Sequence, residues 1–148
     1  MEKVIFLDFD GVITVLETRW GPSEEHIRRV KRICDETGAK IVISSSWRWY
    51  SLDETFKRIY KRCPEINESH FLLNKDLCVG VTRRIGPGGR GDEIKDWLND
   101  HPEVKKFVIL DDDSFDMLPE QKPFLINTAW DIGIQDEDVE KAIKILTD

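Results

Sequence analysis

A chain of 148 residues and 17.3 kDa has the length of one domain, and such a chain buries roughly 70% of its unfolded surface, so it needs no metal or disulfide staple to fold. With 22 Lys and Arg against 29 Asp and Glu, the net charge is −7; this excludes a protein that coats nucleic acid or anionic lipid through its overall field, though not a local basic mouth on an acidic body. Three widely spaced cysteines, Cys34, Cys63 and Cys78, with no CxxC pair exclude a disulfide framework and a zinc site built on thiolates.

Val4 to Leu7 is an apolar run too short for a helix; it reads as a buried strand ending on Asp8-Phe9-Asp10-Gly11. A polar and aromatic connection follows, and Ser23 with Glu24 and Glu25 has the pattern of a helix N-terminus. Ile27, Val30, Ile33 and Cys34 keep helical spacing up to Gly38. Lys40 to Ile43 predicts a second buried strand, ending on Ser44-Ser45-Ser46. Leu52, Phe56, Ile59, Tyr60 and Cys63 predict a helix stopped by Pro64.

Residues 65–90 carry a weaker pattern: Phe71 to Leu73 and Leu77 to Val81 read equally as short strands or loop, before a turn at Gly86-Pro87-Gly88-Gly89-Arg90-Gly91. Ile94, Trp97, Leu98 and His101 then mark an amphipathic helix. Phe107 to Leu110 predicts a third strand ending on Asp111-Asp112-Asp113, Pro123 to Ile126 a fourth, and Asp136 opens a last helix with Val139, Ala142, Ile143 and Leu146 on its buried face. Strands alternating with helices at this spacing predict an α/β fold: a doubly wound, mainly parallel Rossmann-like sheet with helices on both faces, one domain over 1–148. No run is long enough to span a membrane and no signal-peptide core opens the chain, so the expected setting is reduced, soluble and cytoplasmic.

Ligands of such sheets bind outside the carboxyl ends of the strands. Three predicted strands end there on groups suited to phosphate or metal: Asp8 and Asp10, Ser44 and Ser45, Asp111 and Asp112. Carboxylates converging without a cation repel one another, and an all-oxygen set with few carboxylates suits Mg²⁺ bridging to a substrate phosphate.

These motifs carry a resemblance. VIFLDFDGVIT (Val4 to Thr14) resembles the first motif, hhhhDxDG, of the haloacid dehalogenase-like (HAD) phosphohydrolase superfamily. KIVISS (Lys40 to Ser45) is similar to its second motif, and FVILDDDSFD (Phe107 to Asp116) to its fourth. ISSSWR and the C-terminal WDIGIQDEDVEKAIKIL resemble a subgroup, the capless HAD domains associated with RNA-repair proteins. The resemblance implies a Mg²⁺-dependent phosphatase that hydrolyses a phosphomonoester through an aspartyl-phosphate. Asp8 would be the nucleophile, and Asp10 the general acid and then base, its main-chain carbonyl joining the metal. Gly11 completes the motif as a substrate-side position. Ser45 would hold the phosphoryl oxygens, with Ser44 as rival. Asp112 would be the third metal ligand, Asp111 a ligand or a support behind it, and Asp116 matches a DxxxD spacing.

The superfamily's third motif is usually a Lys near the start of the helix before the fourth motif. Here Arg90 is the candidate and Lys95 the alternative. Arg48 has the position to reach a second phosphate, or is a surface residue beside Trp47 and Trp49. No connection is long enough for a separate cap domain, so a phosphorylated substrate is expected at an open site: a large one such as a polynucleotide end or a phosphoprotein, or a small phosphoester, nucleotides included, with a lid from a partner subunit. The rival reading is a silent HAD-like domain that binds phosphate or Mg²⁺ for regulation or scaffolding; a dehalogenase would need neither Mg²⁺ nor the second aspartate.

Other features count for less. Gly86 to Gly91 satisfies GxGxxG, but the residues before it make a poor buried strand. His26, His70 and His101 are scattered and are not read as ligands. The five tryptophans read mostly as core, with Trp20, Trp47 and Trp49 placed to stack a base. The basic runs Arg28 to Arg32 and Lys57 to Arg62 read as solvated helix faces.

Overall fold

The computed structural model describes residues 1–16, 19, 21–64, 70 and 74–148. Trp20 and the segment Phe71 to Leu73 lie outside the described residues. Five strands form one all-parallel sheet: β1 (Lys3–Leu7), β2 (Lys40–Ile43), β3 (Cys78–Val81), β4 (Lys106–Asp111) and β5 (Leu125–Asn127), in the order β3-β2-β1-β4-β5. Among the described residues three α-helices connect strands, α1 (Glu24–Thr37), α2 (Leu52–Arg62) and α3 (Arg90–Asp100), and α4 (Asp136–Thr147) follows β5.

Between their end residues the central strands are apolar because both faces of the sheet are covered. Ile5, Leu7, Ile41, Ile43, Val108 and Leu110 pack against Ile27, Val30 and Ile33 of α1, Ile59 of α2, and Val139, Ala142 and Leu146 of α4. The alternate residues Val4, Phe6, Val42 and Ile109 point the other way, onto Ile94 and Trp97 of α3 and onto Met117. Phe6 meets the Trp97 and Phe107 rings edge-on at 5.5 and 5.8 Å, a favoured aromatic geometry.

The helix ends follow the chemistry of their sequences. Ser23 caps α1 by accepting from His26 N, and Gly38, at φ 76°, closes it with its N–H on Cys34 O. Ser51 caps α2 by accepting from Glu54 N. The fourth predicted strand shifts: β5 begins at Leu125, whereas Pro123 and Phe124 belong to a 3₁₀ turn over Pro119–Phe124. Pro123 has no N–H for a ladder, so the turn ends where pairing to Ile109 and Leu110 begins. The weak pattern at Cys78 to Val81 is an edge strand, half-buried along most of its length.

The chain winds from β1 outward to β2 and β3, then returns to β4 and β5 on the other side of β1. The switch in direction therefore falls between β1 and β4, where such sheets open a crevice beyond their carboxyl ends. Among the described residues no separate cap covers that edge.

Candidate active site

The register brings the polar strand ends into one row. Leu7 stands opposite both Ile43 and Leu110, so Asp8, Ser44 and Asp111 follow side by side. Asp8 N donates to Leu110 O at 3.0 Å and Ser44 N to Leu7 O at 2.9 Å, carrying the ladder one residue further. By alternation all three belong to the α3 face, and α3 delivers its first side chain there. Arg90 Nη1 donates to Ser44 O at 2.6 Å and to Asp111 Oδ2 at 2.9 Å, and lies 3.4 Å from Asp8 Oδ1.

Asp8 and Asp111 are buried and Asp112 is half-buried; one carboxylate oxygen of each lies within 4.8 Å of the others. Burial first, then the Asp111 carboxylate, pushes the Asp8 carboxyl up to about 8 against the pull of Arg90, with Asp112 adding to the rise. Burial likewise raises Asp111, to about 6, although Arg90 and a hydrogen bond from Asp113 N hold it down. Burial disfavours the Arg90 charge, but Asp8, Asp111, Glu93 and Asp116 outweigh it and the guanidinium is raised. One guanidinium thus leaves two neighbouring carboxylates short of positive charge. Three hard oxygen donors within 4.8 Å of one another, a separation close to the roughly 4 Å between opposite ligands of Mg²⁺, fit a small divalent cation.

The turn after β1 makes room for this set. Gly11 has φ 83°, and a side chain there would collide with the Asp112 carboxylate. Its carbonyl accepts from Thr128 Oγ1 at 2.7 Å, and Thr128 N donates to Asp111 O, so the residue after β5 ties the first and fourth strand ends together. Asp10 is held from two sides: its Oδ1 accepts from Thr14 Oγ1 at 2.6 Å and from the buried Trp47 indole at 3.0 Å. Trp47 in turn packs on Phe9, with the Arg62 guanidinium over its ring at 3.6 Å.

The two serines have different surroundings. Ser44 Oγ is buried and has no hydrogen-bond partner among the described residues. Ser45 Oγ accepts from Trp47 N at 3.1 Å, and Ser45 O accepts from Arg48 N and, at 2.7 Å, Arg48 Nη1. Arg48 is neither a surface residue nor at the mouth. It is 2% exposed, with Nη2 donating to the buried Glu93 at 2.7 Å, and burial lowers its affinity for the proton. It thus bridges Ser45 O of the loop after β2 and the Glu93 carboxylate of α3.

Lys95 does not join the cluster; it is exposed on α3 and its Nζ lies 3.8 Å from Glu120. Asp116 is a cap, its Oδ2 accepting from Arg90 N at 2.9 Å where Gly89 has no side chain to offer. The glycine run before Arg90 serves this contact: a Cβ on Gly89 would press on Asp116, and one on Gly91 on Gln121 and the 116–118 backbone. Of the four described tryptophans only Trp47 and Trp97 are buried; Trp49 and Trp130 are about half exposed and lie outside the core. Sequence reasoning missed Thr14, Glu93 and Thr128. Only Thr14, four residues beyond Asp10 at the end of the first motif, left a signal to follow.

The family model for the HAD domain in Swiss Army Knife RNA repair proteins matches residues 4–139. The chain belongs to this family. No curated protein and no solved structure matches it. The matched span runs from β1 into α4 and takes in every residue of the row described above. As a HAD domain the chain carries its charged cluster at the switch between β1 and β4, where Arg90 stands beside Asp8 and Asp111.

Proposed function

We propose that this HAD domain is a Mg²⁺-dependent phosphatase that hydrolyses a phosphomonoester at a polynucleotide end through an aspartyl-phosphate. The observation that carries the reading is the meeting of Asp8, Asp111 and Asp112 with Arg90 and the unpartnered Ser44 hydroxyl at one sheet edge. Membership of a family found in RNA repair proteins supports the choice of substrate, as does the lack of a cap among the described residues.

Asp8, Asp111 and Asp112 would hold the cation, which when bound supplies positive charge beside the phosphoryl oxygens. An Asp8 carboxylate oxygen attacks phosphorus, forming an O–P bond as the bond to the leaving oxygen breaks. Asp10 gives that oxygen its proton; the bonds on Oδ1 leave Oδ2 for this transfer. Asp10 then takes a proton from water as the water oxygen attacks phosphorus, releasing inorganic phosphate and restoring both carboxyls. Arg90 and the Ser44 hydroxyl donate to the equatorial oxygens, and a guanidinium does so with two parallel N–H groups where a lysine has one point charge.

The test is phosphate release from an aryl phosphate and from 3′- and 5′-phosphorylated oligonucleotides, with Mg²⁺ or chelator, for wild type and Asp8→Asn. Turnover that requires both the metal and Asp8, and is fastest on an oligonucleotide end, is the expected result. Equal inertness of both proteins on every substrate would sink the reading and favour a silent phosphate-binding domain.

A further inference from the structure

Beside the active-site row lies a surface whose charge opposes that of the molecule as a whole. Trp49, four residues after Ser45, is 45% exposed, and Tyr50 is 83% exposed, their ring centroids 4.9 Å apart. Trp49 lines two concavities at once. One, of about 500 Å³, is formed with Glu54, Lys57, Arg58 and Lys61 of α2. The other, of about 150 Å³, is formed with Tyr50, Arg83 and Arg84.

Arg83 is engaged by Asp96 in a two-pronged ion pair, but among the described residues Lys57, Arg58, Lys61 and Arg84 form no salt bridge. Arg58 lies over the Trp49 ring at 4.9 Å and donates to Arg48 O. Arg84 Nη2 donates to Ser46 O and Arg48 O. Both guanidiniums therefore stand on the loop that directly follows Ser44 and Ser45. Among the described residues Glu54 is the single acid lining either concavity. A concentration of basic groups on a body of net charge −7 selects a polyanion, and paired exposed rings beside it select a polyanion with flat faces to stack.

We infer that Trp49 and Tyr50, with Lys57, Arg58, Lys61 and Arg84, form a track for a single-stranded polynucleotide, whose bases stack on the two rings while its backbone phosphates meet the four cations. This deepens the proposed function and rests on it for the placing of the phosphorylated end: the strand lies along the track and its terminus enters the row at Asp8. Base–aromatic stacking tolerates any sequence, so the track predicts recognition of single strands without base preference.

The test reads binding alone. Fluorescence anisotropy is measured with labelled ten-nucleotide RNA and DNA strands without terminal phosphate, a duplex of the same length, and a poly-glutamate peptide. Variants are Trp49→Ala, Tyr50→Ala and Lys61→Gln, each checked for its thermal midpoint. Both single strands are expected to bind, with affinity falling as roughly the third power of salt concentration for four phosphate contacts. Each aromatic substitution is expected to weaken binding about 5- to 100-fold. Tyr50, almost wholly exposed, carries the test if Trp49→Ala fails to fold. Equal affinity for poly-glutamate, preference for the duplex, or indifference to both aromatic substitutions would each overturn the track. Strand binding without phosphate release would leave the track standing and remove the phosphatase reading, and the reverse result would do the opposite.

Discussion

Ser44 and Ser45 differ by one position and by the side of the sheet they serve. Alternation sends Ser44 to the face of Asp8 and Arg90 and leaves its hydroxyl without a partner among the described residues, an arrangement that costs on the order of 1–3 kcal/mol unless a ligand supplies the missing bond. Ser45 spends its hydroxyl on Trp47 N. We therefore expect Ser44→Ala to lower kcat/KM for phosphate release by about 100- to 1,000-fold, the effect of removing one preorganised donor. Ser45→Ala should act chiefly through loop stability, with a smaller kinetic effect. The reverse ranking in steady-state assays would move the phosphoryl contact to Ser45. The sequence offered both serines because a strand end read from an apolar run is uncertain by one residue, and at a phosphate site one residue changes the face.

At the scale of an element, α3 matters most because its first residue supplies the guanidinium. Gly89 leaves its N-terminus without a side-chain cap, and Asp116, reaching from the loop after β4, accepts from Arg90 N instead. Asp116→Ala should lower stability by about 0.5–2 kcal/mol and, because the backbone it holds belongs to Arg90, raise KM as well. Asp116→Asn, which keeps the acceptor oxygen, should recover most of both losses. Denaturant unfolding and kinetics on the same samples check this, and a kinetic defect that Asn fails to rescue would point to a role for the Asp116 charge itself.

Strands β1, β2 and β4 and all four helices were legible in the sequence, since continuous apolar runs and 3.6-residue spacing mark elements buried on two faces or one. The order of strands across the sheet, the burial of Arg48 against Glu93 and the clasp of Thr128 on Gly11 O were not. They join residues far apart in sequence, and no local pattern encodes such contacts.

For the molecule as a whole, the charged row couples folding to protons. In the unfolded chain Asp8 and Asp111 titrate near 3.8, whereas in the fold they are raised to about 8 and about 6. Between these limits the folded state binds more protons than the unfolded state, so its stability falls as pH rises. In chelator, the thermal midpoint of wild type relative to Asp8→Asn should fall by roughly 5–10 °C from pH 5 to pH 8. Added Mg²⁺ should raise the wild-type midpoint more at pH 8 than at pH 5, since the cation competes with protons for the same oxygens. A difference between the two proteins that does not vary with pH would contradict this account of the row.

The buried Arg48–Glu93 pair has a consequence for the cost of catalysis. It joins the loop after β2 to the first turn of α3, and Arg90 Nη1 on Ser44 O makes a second link nearby. Breaking a pair so deeply enclosed costs about 3–5 kcal/mol, so the Ser44 hydroxyl and the Arg90 guanidinium, which in the proposed reaction would flank the phosphate, stand on one rigid body before any substrate arrives. The entropy of arranging them is met once, when the chain folds, and is not drawn again from binding energy at each turnover.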